Sequence, residues 1–293
     1  MNKNDLIDMK KWFADYVSGF YTDNPDYNRA ISLKEEHTKL VCRNIIMLGQ
    51  ELGLTDQDMI LAETMALFHD IGRFKQYAVY GTFSDTASEN HARLGLRQIG
   101  THKVLSACSK QEKRLIVKAI AYHNAAELPE NEDEKTLFFM RLLRDADKLD
   151  IWRVVITHYQ DRDKHPNSTI ELGLPDNPNC SQQILTALNE HRIAMLRHLK
   201  TLNDFKLLQI SWVFDLNFTP SFQAVQKRRY IEQIEATLPQ SKDITKAVGQ
   251  AHDYVANQQI LSKERLRCKS TGRRLRVACN ACGSDQVKPL SLW

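Results

Sequence analysis

A histidine and an aspartate stand side by side at His69-Asp70, at the end of the apolar run Met65-Ala66-Leu67-Phe68. An imidazole offers a metal ion a neutral nitrogen, and a carboxylate offers charge and two oxygens able to bridge a pair of ions. Adjacent residues of a regular helix do not share a face. Gly72 lets the chain unwind just after the doublet, so both side chains can converge on one ion. A second group with metal-binding character lies near the C-terminus. Cys279 and Cys282 have the spacing of half a zinc ribbon, and Cys268 could be a third ligand. A closed tetrahedral site takes four ligands, and no fourth is nearby. The plainer reading of residues 263–293 is a basic, Cys-containing tail. Cys42, Cys108 and Cys180 are scattered and read as free thiols of a reducing compartment.

The segments that must position these groups carry helical signals almost throughout. Over residues 33–54, Leu40, Val41, Ile45, Leu48 and Leu52 recur with a period near 3.6, and Gly53 suits the end of that helix. Thr55 can cap the next helix, which runs through Met59, Leu61, Met65 and Leu67 and which Gly72 closes. Residues 73–87 are mixed aromatic and polar around Gly81. They read as a loop that could cover a site, with tyrosines free to stack on a base or sugar, or as a packed Ω-loop. Ser88 can cap a helix carrying His91, Leu94 and Leu96, and Ser109 with Glu112 forms a capping box before Leu115 to His123. A long helix follows over about 135–158. Residues 161–179, rich in Asp, Asn and Pro, form the best candidate boundary. Helical patterns resume at 181–199, 202–216, 222–238 and 244–261, with one short ambiguous run at 210–214. The expected fold class is all-α, with a metal-binding core over 1–160, an additional helical region over 161–262 packed on it, and the tail over 263–293.

Composition narrows the function classes. The chain has 293 residues, 42% hydrophobic and 26% charged, an ordinary globular balance. No apolar stretch approaches the roughly 20 residues of a membrane helix. Met1 to Ile7 lacks the pattern of a secretion signal, so a cytoplasmic location is expected. The net charge of +4 does not call for a nucleic-acid partner. Nothing argues against a homo-oligomer.

The run Ala66-Leu67-Phe68-His69-Asp70-Ile71-Gly72-Arg73 resembles the signature of the HD superfamily of metal-dependent phosphohydrolases. The resemblance extends to four further positions, in order. His37 in Glu35-Glu36-His37-Thr38 matches the histidine of the preceding helix. Asp147 in Ala146-Asp147-Lys148 matches the last aspartate. His91 in Asn90-His91-Ala92 and His123 in Tyr122-His123-Asn124 match the two extra histidines of dinuclear members. The match covers about residues 33–150 and implies an HD-domain helical bundle, with further helices C-terminal to it. The histidines at 102, 158, 165, 191, 198 and 252 lack such flanks and read as structural or surface residues.

What the resemblance implies is hydrolysis of a nucleotide or other small phosphoester by metal-activated water. Two divalent ions, of manganese, iron, magnesium, zinc or cobalt, would be held by His37, His69, Asp70, His91, His123 and Asp147. Asp70 is the natural bridge. Phosphate also wants fixed cations: Arg73 and Lys75 are first candidates, then Lys148 beside the metal aspartate and Arg144, which could equally form helix-surface salt bridges. Glu63 is read either as an outer support of the site or as an exposed ion pair. Two other classes remain: a di-iron oxygenase using the same ligands, and a non-catalytic nucleotide-binding module. The Gly-Tyr-Pro of cyclic-dinucleotide hydrolases is missing.

Overall fold

A computed structural model describes residues 1–162 and 168–271. The expected all-α class holds: among the described residues there are helices and turns and no strand. No described helix is long and apolar enough to cross a membrane. Cys279 and Cys282 lie outside the described residues, as does the side chain of Cys268. The chain divides into two compact units, after Ile170.

The first unit holds α1 (Lys3–Ser18), α2 (Pro25–Glu51), α3 (Asp56–Phe68), α4 (Ile71–Tyr80), α5 (His91–Thr101), α6 (Lys110–Tyr122) and α7 (Glu134–Asp161); the single turn α8 (Ser168–Glu171) straddles the division. In α2 the buried positions Ile31, Lys34, Thr38, Val41, Ile45 and Leu48 form one stripe, which faces α3 and α7. Every residue of α3 from Ile60 to Phe68 is buried, so α3 is the central helix, in contact with α1, α2, α6 and α7. The caps follow the sequence. Thr55 caps α3, Ser109 and Glu112 form the capping box of α6, and Gly53 takes a left-handed φ of 69° just past α2. Asn90, not Ser88, caps α5, because the Ser88 hydroxyl is spent on the Ser84 carbonyl.

The reading of 73–87 as a loop is corrected. Residues 71–80 are helix α4, which ends at Gly81 with φ 65°. Its polar character misled because Arg73 and Gln76 are buried beside Ile71 and Phe74. Gly72 does not close the previous helix; it allows α4 to pack on α5. A Cβ on Gly72 would collide with the His91 carbonyl oxygen and lie 2.5 Å from the Gly95 amide nitrogen. Gly95 faces it, where a Cβ would sit 3.1 Å from the Gly72 amide nitrogen.

The second unit, from Glu171, holds α9 (Gln182–Asn189), α10 (Leu202–Ser211), α11 (Thr219–Lys227), α12 (Tyr230–Glu235) and α13 (Lys242–Thr271). Helix α10 is buried on all sides and contacts α9, α12 and α13. The buried Asp204 carboxylate accepts from the Ser181 amide (2.6 Å) and hydroxyl (2.7 Å), tying the start of α9 to α10. Two helices expected here as continuous are broken. The one over 181–199 stops at Asn189, and His191 takes φ 54°. The one over 222–238 is interrupted by Arg229 at φ 53°. Left-handed stops made by residues other than Gly or Asn carry no sequence signal. The ambiguous run at 210–214 is the end of α10 and a 3-10 turn, Trp212–Asp215.

Because backbone atoms cannot retreat as side chains do, Gly72→Ala is expected to cost about 3 kcal/mol or more and Gly95→Ala about 1 kcal/mol. Thermal unfolding of the two variants by circular dichroism checks the order; equal shifts would show that α4 and α5 do not meet this closely.

Candidate metal centre

Four histidines and two aspartates of the first unit converge, from five helices. His37 projects from the middle of α2. His69 directly follows α3, and Asp70 sits between α3 and α4. His91 is the first residue of α5, His123 directly follows α6, and Asp147 lies on α7. Five of the six side chains are almost fully buried, and the Asp147 side chain, 13% exposed, is the most open. The structure thus brings together the six positions picked out in the sequence.

His69 and His123 are positioned by the same local device. Each follows the last helical residue, and each Nδ1 lies 2.7 Å from a carbonyl oxygen three residues back, Ala66 and Ile120 respectively. A carbonyl can only accept, so Nδ1 carries the proton and satisfies an orphan carbonyl of the last turn. Nε2 is left as a lone pair aimed at the centre. His37 and His91 are oriented by carboxylates instead. His37 Nδ1 donates to Asp150 (2.7 Å) and His91 Nδ1 donates to Asp85 (2.8 Å). In all four rings, the outer nitrogen is committed and Nε2 faces inward.

Those inward nitrogens meet one another and the carboxylates. His37 and His69 Nε2 are 3.3 Å apart; His91 and His123 Nε2 are 3.0 Å apart. Asp70 stands between the two pairs. Its Oδ2 is 3.6 Å from His37 and 3.7 Å from His69, and its Oδ1 is 3.2 Å from His91 and 3.8 Å from His123. Asp147 Oδ1 lies 3.1 Å from His37 and 3.6 Å from His69; it is buried and lacks a well-aligned hydrogen-bond donor. Buried lone pairs gathered this closely repel unless a cation lies among them. The donor set of imidazole nitrogens and carboxylate oxygens fits a divalent cation. Although Asp70 occupies the capping position of α4, its carboxylate makes no capping hydrogen bond and turns to the cluster.

Several neighbours were not singled out in the sequence. Lys34, one turn before His37, is buried with its ammonium 2.9 Å from Asp70 Oδ2 and 5.5 Å from the centre of the Phe83 ring. Asp85 and Asp150 are the carboxylates behind His91 and His37. A single Lys or Asp has no local flank to mark it; only the one-turn spacings Lys34 to His37 and Asp147 to Asp150 were available as a hint.

The expected phosphate cations divide. Arg73 is fully buried, and its NH1 donates to Gln76 (2.8 Å), Asp85 (2.9 Å) and the Phe83 carbonyl. Its Nε lies 3.5 Å from Asp70 Oδ1, and among the described residues Nε and NH2 meet no well-aligned hydrogen-bond acceptor. Lys75 is not brought to the cluster. Two residues beyond Arg73 on α4, it falls on the far side of the helix and is exposed. Lys148 is half-buried beside Asp147. Arg144 donates to the carbonyls of Tyr122 (3.3 Å), His123 (3.4 Å) and Ala125, securing the end of α6. Glu63 pairs with Lys10. Tyr77 stacks on Phe83 at 4.7 Å and also meets Tyr27, while the exposed Tyr80 donates to Glu89.

Proton binding follows from this crowding. Burial disfavours ionised Asp70, but Lys34, His69, His123 and Arg73 outweigh it and hold the carboxyl well below the usual range. His37 and His69 likewise hold Asp147 well below the usual carboxylate range, again against burial. Burial lowers His37, yet Asp147 and Asp150 prevail and raise it to about 9; burial, helped by Arg73, pushes His91 down to about 3. His37 is therefore protonated at neutral pH when no cation is bound. Metal uptake must expel that proton, so the apparent manganese affinity should strengthen by roughly tenfold per pH unit between 6.5 and 8.5 and level off above about 9. Calorimetric titrations in buffers of different ionisation heat would count the proton released; a pH-independent affinity with no proton release would contradict this account of His37.

Residues 35–152 match the family model described as HD domain. No curated protein and no solved structure shows a significant match. The matched segment begins two residues before His37 and ends five after Asp147, so it contains the whole cluster. HD domains are generally those of metal-dependent hydrolases, and their fold is helical, as here. The segment 35–152 thus matches the HD domain, and the histidines and aspartates that converge within it are consistent with an HD superfamily protein.

Proposed function

We propose that the cluster is the active site of a metal-dependent phosphohydrolase acting on a nucleotide or another small phosphoester. One observation carries the reading: the two oxygens of Asp70 face two different pairs of imidazole nitrogens. His37, His69 and Asp147 with Asp70 Oδ2 would hold one divalent ion, and His91 and His123 with Asp70 Oδ1 a second. Ions in such a site supply a water of lowered pKa and offset charge on the phosphoryl oxygens.

The chain's own groups then divide the remaining work. Lys34 and Arg73 flank Asp70 on opposite oxygens and are the fixed cations best placed to meet phosphoryl oxygens; Lys148 stands at the rim. Substrate would enter beside Asp147, the most open of the six side chains. Asp150 and Asp85 keep His37 and His91 in the tautomer that leaves Nε2 free to bind metal.

The test is hydrolysis of a panel of nucleotides and generic phosphoesters by metal-stripped protein reloaded with manganese, magnesium, zinc, cobalt or iron. Turnover should require metal and fall at least 1,000-fold in Asp70→Ala, roughly the loss seen when a principal electrostatic group is removed. Lys34→Met should lower kcat/KM by about 10- to 100-fold with metal content unchanged, as loss of a charged hydrogen bond predicts. Lys75→Ala should change neither. Oxygen uptake by the iron form with no phosphoester turnover would replace this reading by the di-iron oxygenase.

A further inference from the structure

Asp85 belongs to no metal-binding motif in the sequence, yet more donors converge on it than on any other carboxylate around the cluster. It lies in the segment 81–90, between α4 and α5, with its side chain 5% exposed. It accepts from Arg73 NH1 (2.9 Å) and Gln76 Nε2 (3.0 Å) of α4. It accepts from the backbone amide (3.3 Å) and Nδ1 (2.8 Å) of His91 at the start of α5, and more distantly from Asn90 Nδ2 (3.4 Å). It also accepts from Asn124 Nδ2 (3.2 Å), next to His123. Both histidines facing Asp70 Oδ1 are thus tied to this carboxylate, His91 directly and His123 through the adjoining residue. None of these contacts involves His37, His69 or Asp147.

Asp150 serves the other side in the same way. It follows Asp147 by one turn of α7, accepts from His37 Nδ1 (2.7 Å), and is itself held by Arg153 Nε (2.7 Å). Its hydrogen bonds go to His37 and Arg153, not to His91 or His123.

We infer that Asp85 and Asp150 are separate positioning residues for the two halves of the centre: Asp85 governs binding of the ion between His91 and His123, and Asp150 governs the ion between His37 and His69. The physical reason is orientation. A ring whose Nδ1–H is fixed by a carboxylate presents Nε2 as a lone pair in one direction, and the negative charge behind it makes that nitrogen a stronger ligand. With an amide in its place, the ring loses the charge and gains an alternative partner with which it can flip. The inference rests on the two-ion reading above.

The experiment counts manganese bound to the full chain and records its paramagnetic resonance, which distinguishes an exchange-coupled pair from an isolated ion. Wild type should bind two ions with the coupled signal. Asp85→Asn should keep one ion at wild-type affinity, bind the other about 10- to 100-fold more weakly, and give the isolated signal at limiting metal. Adding His91→Ala to Asp85→Asn should abolish only the weakened ion and leave the other at wild-type affinity; adding His37→Ala instead should weaken that other one. Asp150→Asn should show the reverse pattern, and it carries the test if Asp85→Asn does not fold. Folded Asp85→Asn that retains the coupled pair at wild-type affinity, or that loses both ions together, overturns the inference. Wild type that never binds a second ion overturns the two-ion reading on which it stands, an outcome separate from the first two.

Discussion

A carboxylate removed from water must be given positive partners, and the site is organised around how Asp70 obtains them. The effective penalty for burying such an ion is several kcal/mol even after relaxation. Asp70 is nearly inaccessible, with its side chain 4% exposed. Lys34 on one oxygen and Arg73 near the other offset part of the cost. The local backbone adds a favourable field. Asp70 heads α4, where the amide ends of the helix favour negative charge, while α3 and α6 direct their carbonyl ends toward the same centre, where they favour a cation. The doublet works because one helix ends at its histidine and another begins at its aspartate.

This arrangement explains why helix ends and starts gather beside the two long helices α2 and α7. His69 and His123 need helix ends, because only there is a carbonyl free to fix the ring from behind. His91 needs a helix start, placed against α4 at the spacing that Gly72 and Gly95 permit. His37 and Asp147 lie within long helices, and their rigidity comes from the packing of α2 against α7. Each half of the centre therefore pairs one ring locked by its own backbone with one locked by a distant carboxylate.

The division between what the sequence reveals and what it conceals follows the same physics. Groups fixed by local chemistry were legible: the His69-Asp70 doublet with its flanks, the Thr55 cap, the Ser109 capping box and Gly53 past the end of α2. Asp85 and Asp150 were not, since a carboxylate that orients a histidine from another element leaves no trace in its own neighbourhood. Nearness in sequence points to Lys75 rather than Lys34, yet Lys75 lies on the far side of α4 and Lys34 meets Asp70. The same helix escaped notice because its inner face is partly polar, Arg73 and Gln76 being paid for by Asp85. In the second unit, His191 and Arg229 end helices in a conformation that glycine usually signals.

Charge completes the argument. The carboxylates in contact with the cluster are Asp70, Asp85, Asp147 and Asp150, and the protein cations paired with them are Lys34, Arg73 and Arg153. Arg153 is shared with Glu36 (3.5 Å), so these three cations do not fully offset the four carboxylates. Asp147 and Asp150 raise His37 to about 9 against burial, so the ion-free chain holds a proton on that ring. A divalent ion in place of that proton would raise the positive charge of the centre. A buried positive excess draws an anion from solution, and it is most strongly offset by a ligand carrying several negative oxygens on one centre. A phosphoryl group has that form, and it would find Lys34 and Arg73 already standing on either side of Asp70.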